Sequence, residues 1–412
     1  MMKYPQSLDI IFNKLYEYNI KPIIVGGYIR DTLLGTPSND IDIELYRIDS
    51  LQKVEKILQK FGKLNSVGKS FGVCKLLYKN LDLDFSLPRK DNKISSGHQG
   101  FQITIDTHLD FKTAASRRDF TINAIGYDVK NRKILDPYHG REDLEKKILK
   151  AVDNKKFQED PLRVLRAIIF ATRFAMRLED SLLFTCKEMI RKKFLEELPK
   201  ERIFQELKKL LIKSTNPSKG FYLLKELGGF SFFQEFNNLN DNEYRDILHG
   251  LERVKKLDIK NEKEFIILAF AVITSKFSKR ETESFLHRIS NEKKLLEKVL
   301  QLHEISFYLE NFNESDIYRL AKKIDIEFYS HYLYGTSKKK EKIDYLLTKA
   351  KELQVLHHPL PALIQGKDLI RLGLKPSKKF TIILEQTYEA QIKNRFQNKT
   401  VAIEWLKKNL LS

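Results

Sequence analysis

The apolar run Ile23-Ile24-Val25 stops at a glycine pair, Gly26-Gly27. β-Branched residues favour a pleated backbone, so this texture predicts a buried strand entering a tight turn. Arg30 and Asp31 follow on one predicted helical turn, which Leu33-Leu34-Gly35 closes. A turn holding Pro37, Ser38 and Asn39 then leads into Asp40-Ile41-Asp42. Alternation there predicts a second strand, with Ile41 and Ile43 facing the core and both carboxylates sharing the other face. Upstream, residues 5–19 carry apolar residues at helical spacing. Downstream, Leu51 to Phe61 is predicted as a helix. Gly72 to Tyr78 and Leu81 to Leu87 are predicted as strands joined at Lys79-Asn80. The second of these, LDLDFSLPR, places Asp82 and Asp84 on one face. Arg89 to Gly100 is polar, bears glycine and lacks an apolar period, which predicts a mobile loop.

Residues 112–128 (KTAASRRDFTINAIGYD) pack polar groups inside an apolar frame. Ile134 to Tyr138 and a turn at Gly140 lead to a short predicted helix, Glu142 to Lys147. From Glu159 the texture changes: EDPLRVLRAIIFATRFAMRL sets Leu162, Leu165, Ile169 and Phe170 on one helical stripe. Nearly everything beyond reads as helix, broken at Pro199, Asn216-Pro217 and Gly228-Gly229, with no internal repeat. A linker at His357 to Pro361 precedes a final helical unit, 362–412. The expected class is α+β: a small α/β head followed by an elongated all-helical part.

Composition narrows the class. At 412 residues the chain exceeds one ordinary core. Cys74 and Cys186 form neither a disulfide framework nor a CxxC motif, which fits a reducing compartment. The most apolar stretch, Phe265 to Thr274, is about half the ~20 residues that span a bilayer. A soluble intracellular protein with no membrane partner is expected. Charge adds a partner class. The formal net charge is +19; residues 1–110 hold 15 basic and 13 acidic residues, leaving 59 and 42 beyond them. That excess is a footprint for a polyanion, or else a lysine-rich bias of the proteome.

Four constellations carry chemistry. Two acids held as close as Asp40 and Asp42 repel each other unless a cation sits between them. Phosphoryl and nucleotidyl transfer use carboxylate-bound metals, and hard oxygen ligands favour Mg²⁺ over zinc. Asp84 is the expected third acid, with Asp82 as the alternative; a bare DxD would otherwise be an exposed polar strand face. Gly26 and Gly27 let backbone N–H groups approach a triphosphate, and Arg30 can fork onto its oxygens. A Gly-Gly after a strand also marks a plain tight turn. In Arg117-Arg118-Asp119, Arg118 could clamp phosphate while Asp119 and Asn123 bond a ribose hydroxyl; the bland reading is a helix cap plus an ion pair. Finally, Glu159, Asp160, Arg163 and Arg166 open a helix. A carboxylate and a guanidinium match the amino-plus-ring-nitrogen edge shared by cytosine and adenine. Taken alone, Asp160 and Arg163 equally suit an i,i+3 salt bridge. The nine histidines form no HExxH pattern and no His-Asp pair.

In this order the motifs VGGYIRDTLLG…NDIDIELY, VGKSFGVCKLL, RRDFTINAIGYD, ILDPYHGREDLEKKILKAV and EDPLRVLRAIIFATRF resemble class II tRNA nucleotidyltransferases (CCA-adding enzymes) and bacterial poly(A) polymerases. The tail segment IQGKDLIRLGLKP resembles CCA-adding members. The resemblance implies a polymerase-β-like nucleotidyltransferase head at 1–150 and a nucleotide-selecting helical neck at 151–215. A helical body at 216–356 and a tRNA-binding tail at 357–412 complete it. It implies Asp40 and Asp42 on catalytic Mg²⁺. Gly27 and Arg30 would meet the triphosphate, and Arg118 and Asp119 phosphate and ribose. Asp160 and Arg163, supported by Arg166, would form an amino-acid template. Many relatives carry a further arginine one turn on, where this chain has Ile169. The loop at 89–100 stands where relatives hold the element that switches from C to A, and no arginine-rich segment of the poly(A) polymerase type follows the catalytic strand. The expected substrates are CTP, ATP and tRNA, in the cytoplasm. CC-only, A-only and poly(A) synthesis are the alternatives, as is an RNA-binding protein with an inactive head.

Overall fold

The computed structural model describes residues 2–36, 38–48, 50–65, 73–93, 101–305 and 307–411. It divides into two compact units, Met1–Asn237 with Arg288–Asn291, and Asn238–His287 with Glu292–Ser412. In the first unit, helix α1 (Asp9–Glu17) buries Ile11, Phe12 and Leu15 ahead of strand β1 (Lys21–Val25). The glycine turn opens helix α2 (Gly27–Leu33), and β2 (Asp40–Tyr46) returns antiparallel to β1. Helix α3 (Leu51–Leu58) precedes strands β3 (Leu64–Asn65), β4 (Val73–Tyr78) and β5 (Leu81–Ser86). Lys79 and Asn80 both take positive φ, 46° and 64°, which makes the tight turn that suits a two-residue hairpin. The sequence stretch 66–72, including part of VGKSFGV, lies outside the described residues.

One correction falls on the predicted loop. Residues Arg89–Lys93 form β6, paired antiparallel with β7 (Phe101–Ile105), Arg89 opposite Ile105 and Lys93 opposite Phe101. RKDNK lacks alternation because main-chain bonds to the partner strand hold it, with no apolar face needed to mark it. The remainder of that predicted loop, 94–100, lies outside the described residues.

Helix α4 (Phe111–Ala115) starts at Asp110, whose carboxylate accepts from Thr113 N at 2.7 Å. Strands β8 (Gly126–Asp128) and β9 (Lys133–Leu135) complete a seven-stranded sheet ordered β3-β4-β5-β2-β1-β8-β9. β2 and β5 run parallel, setting Asp40 beside Asp82 and Asp42 beside Asp84. Register partners share a face, so four carboxylates gather on one side of the sheet while Ile41, Ile43, Leu83 and Phe85 fill the other. Helix α5 (Gly140–Glu145) and strand β10 (Ile148–Leu149) follow. After α6 (Asn154–Phe157), the Asp160 carboxylate accepts from Leu162 N at 3.1 Å and starts α7 (Leu162–Phe174). Strand β11 (Arg177–Leu178) pairs with β10. Helices α8 (Asp180–Arg191), α9 (Lys200–Lys213) and α10 (Ser218–Glu226) complete the unit's main run, α9 and α10 entered through Pro199 and Pro217.

From Asp241 onward ten helices are described and no strand. Glu262–Ile273 is apolar nearly all round and buries Phe265, Ile266 and Leu268 to Ile273, as a core helix should. No helix among the described residues is long and apolar enough to cross a membrane. Gly250 lets two backbones meet, because a Cβ there would lie 2.1 Å from Gly335 O. Arg253 satisfies the same helix end, donating to Tyr334 O and Gly335 O at 2.7 Å each. The last segments share a small core of Ile364, Leu369, Ala390, Phe396, Ala402 and Leu406. The α+β reading therefore holds: a mixed-sheet head, then helices.

Candidate functional site

The glycine turn is shaped by what lies over it. Gly26 has φ 72° and ψ −130°, a conformation side chains avoid, and its N–H donates to Ile125 O at 3.1 Å. A Cβ there would sit 2.7 Å from Arg118 Nη1 and 3.4 Å from Asp42 Oδ2. The glycine therefore lets a guanidinium and a carboxylate close over the end of β1. Gly27 faces Arg30, whose Nη2 would lie 3.6 Å from an added Cβ.

Asp40 and Asp42 stand exposed at the start of β2. The protein mass round Asp42 lifts its carboxyl above the usual range; Arg118 pulls it back, and Asp40, Asp84 and Glu44 push it up again. Asp40 is lifted too, first by burial and then by Asp84, with Lys75 opposing. Asp84 itself is held by Lys75 Nζ at 2.6 Å. No three His, Cys, Asp or Glu side chains among the described residues form a group that could hold a metal by themselves. Two raised carboxylates on one strand face nevertheless suit a hard divalent cation, with water completing its shell.

The sequence reading passed over Glu44. It continues the period of Asp40 and Asp42 onto the same face, yet its side chain is 0% exposed. Its Oε1 accepts from Arg117 Nη2 at 2.9 Å and from Arg118 Nη2 at 3.5 Å, and its Oε2 from the Tyr46 hydroxyl at 2.9 Å. Burial raises the Glu44 carboxyl, but Arg118 and Arg117 outweigh it and the net direction is down. The third acid of an Asp-x-Asp-x-Glu alternation was the available signal.

A second cluster is a buried polar chain. Arg30, 4% exposed, donates through Nε to Asp31 at 2.8 Å and through Nη1 to Asn123 Oδ1 at 2.5 Å. Asn123 Nδ2 donates to Asp119 Oδ1 at 2.9 Å, and Asp119 Oδ2 accepts from Arg166 Nε at 2.8 Å. The Arg30 and Arg166 guanidinium carbons lie 5.0 and 5.2 Å from the Phe170 ring centroid. Five sequence-predicted or adjacent groups thus meet, but on one another: Arg30 braces α2 against α7 and faces protein atoms.

Asp160 and Arg163 are each engaged away from the other's side chain. Asp160 Oδ2 pairs with Arg202 Nη2 at 3.2 Å, a partner outside the sequence motif. Arg163 donates to the carbonyls of Lys156 and Arg117 at 2.9 and 2.8 Å. Glu159 stands half-buried just before them. Ile169 is buried on the apolar face of α7.

Residues 23–150 match the poly(A) polymerase head domain, and residues 176–239 match the probable RNA- and SrmB-binding site of polymerase A. Residues 23–150 are thus similar to that head domain. The motif resemblance therefore holds over that head. A multifunctional CCA protein of Nitrosospira multiformis is 34% identical over 212 residues, covering 52% of this chain and 49% of that protein. The match thus spans about half the length of the curated relative. Beyond the head, the fold is that of solved CCA-adding enzymes. One in complex with CTP superposes with a TM-score of 0.75 at 23% identity, covering 100% of this chain and 97% of its own. The Thermotoga maritima CCA-adding enzyme complexed with tRNA gives 0.70 at 22% identity, over 99% and 97%.

Proposed function

We propose that this chain is a cytoplasmic CCA-adding tRNA nucleotidyltransferase. It adds C, C and A to tRNA 3′ ends from CTP and ATP, without a nucleic-acid template. The observation that carries the reading is the meeting of Gly26, Asp42 and Arg118 at the open end of β1. In the reaction the tRNA 3′-oxygen bonds to the α-phosphorus, the α–β bridging P–O bond breaks, and pyrophosphate leaves. The Gly26–Gly27 turn receives the triphosphate, and Arg118 is placed to hold its charge. Asp40 and Asp42 would hold Mg²⁺, which when bound lowers the pKa of a hydroxyl and neutralises phosphate charge. Asp84 is the further catalytic acid, opposite Asp42 on the neighbouring strand and paired with Lys75 Nζ at 2.6 Å.

Asp119 and Asn123 position the ribose side of the site, with Arg30 bonded to Asn123 and Arg166 to Asp119. Asp160 and Arg163 read the base once a nucleotide draws them from their present partners, with Glu159 and Arg166 flanking. The proposed division is head 1–150, neck 151–215, body 216–356 and tail 357–412, with the basic excess beyond residue 110 serving tRNA. The test is incubation with tRNAs lacking the final A, the final CA or the whole CCA, with CTP and ATP separately and together, followed by product sequencing. Complete CCA ends from each substrate are expected. Products stopping at CC, gaining only A, or growing an A tail would each replace this reading with the matching partial or polymerising activity.

A further inference from the structure

A cavity of about 510 Å³ opens on the first unit, lined by Lys14 of α1, Tyr18 just past its end, Ile20, Arg47, Ile48, then Lys53, Lys56 and Ile57 of α3, and Lys60. It lies at the far end of the β1–β2 pair. Lys21 faces Tyr46 there, whereas Val25 faces Asp42 at the glycine turn, four residues or roughly 13 Å away. It is therefore separate from the site above.

Its chemistry is one-sided. Among the described residues the lining carries five cationic side chains and no carboxylate. Lys53, Lys56 and Lys60 follow at intervals of three and four, which puts them on one side of α3 and its end. Ile20, Ile48 and Ile57 are buried and give the cavity an apolar floor. Tyr18 is 55% exposed, with Lys14 Nζ 5.6 Å from its ring centroid. Lys14 also meets Glu17 at 2.5 Å, beside the cavity. A concavity lined by one sign of charge focuses its field and concentrates counter-ions. The volume falls within the few-hundred-to-1,000 Å³ range of small-ligand pockets.

We infer that this cavity is a second anion site that takes a nucleoside polyphosphate: phosphates among Arg47, Lys53, Lys56 and Lys60, and the base over the isoleucine floor against Tyr18. A bounded concavity with an aromatic side chain at its edge favours this over the backbone of an RNA strand, which calls for a continuous groove.

Equilibrium dialysis of the full chain with radiolabelled ATP tests it. Two sites per chain are expected, falling to one in Lys53→Glu/Lys56→Glu while CTP incorporation into tRNA stays as in the wild type. Acylation of the wild-type lysines, read by mass spectrometry with and without ATP, needs no variant. Lys53, Lys56 and Lys60 should be protected several-fold. Equal stoichiometry in both proteins with no lysine protection overturns the inference. Protection by a single-stranded RNA oligonucleotide and not by ATP overturns it in favour of an RNA-binding surface. Loss of CTP incorporation in the wild type would instead count against the proposed reaction and leave the ATP stoichiometry standing.

Discussion

Arg118 occupies the space that a side chain on Gly26 would need, its Nη1 2.7 Å from the position of an added Cβ. The glycine is thus required twice, for its positive φ and for this approach. Gly26→Ala should cost about 1–3 kcal/mol of stability from the backbone alone. By displacing Arg118 it should also lower CTP incorporation by about 100-fold. Thermal melting and single-turnover incorporation check the two effects separately. Normal incorporation with unchanged melting would remove Arg118 from the site.

Glu44 joins the two arginines of the RRD segment to β2. Glu44→Gln keeps the shape and leaves two guanidinium groups without their buried counter-charge. A loss of roughly 3 kcal/mol is expected, a Tm drop of about 6–12 °C for a unit of this size. A melting curve matching the wild type would mean that Arg117 and Arg118 are held by other groups.

Asp119 supplies the pH prediction. Burial would raise its carboxyl, but Arg166 and Asn123 outweigh burial and hold it below its ordinary value of 3.8. A depressed folded-state pKa contributes stability above the unfolded value and loses it as pH falls through the folded one. The advantage of the wild type over Asp119→Asn in urea midpoint should therefore be full at pH 7. It should shrink as pH falls below about 4. An advantage that stays constant or grows on acidification would contradict the Arg166–Asp119 pairing.

The glycine turn, the acid pair and the hairpin at Lys79-Asn80 were legible because each rests on local rules: a two-residue alternation or a turn chemistry. Strand β6 was not, since RKDNK is held by main-chain bonds to residues eight to sixteen positions later. The partners of the charged residues were equally hidden. Asn123 is 93 residues from Arg30, and Arg202 is 42 from Asp160. The i,i+3 spacing alone suits a pair between Asp160 and Arg163, whereas contacts with Lys156, Arg117 and Arg202 set where they point. His357 likewise meets Asp325, at 3.0 Å, through folding and not through adjacency.

Asp160 has both a structural and a proposed reading role, and these separate experimentally. Its partly exposed pair with Arg202 is worth about 1 kcal/mol or less and its bond from Leu162 N about 1 kcal/mol, so Asp160→Ala should melt roughly 4–8 °C below the wild type. Single-nucleotide assays should nevertheless show UTP and GTP entering alongside CTP. Unchanged selectivity would assign Asp160 to the helix start and the Arg202 pair alone.

The most direct measurement is single-turnover incorporation of CTP into a tRNA lacking CCA, comparing the wild type with Asp42→Ala, alongside tRNA binding by both. The account predicts that turnover is abolished while tRNA affinity stays within about twofold, an effect of ~0.4 kcal/mol or less. Substantial residual incorporation by Asp42→Ala would contradict the transfer site built on Gly26, Asp42 and Arg118.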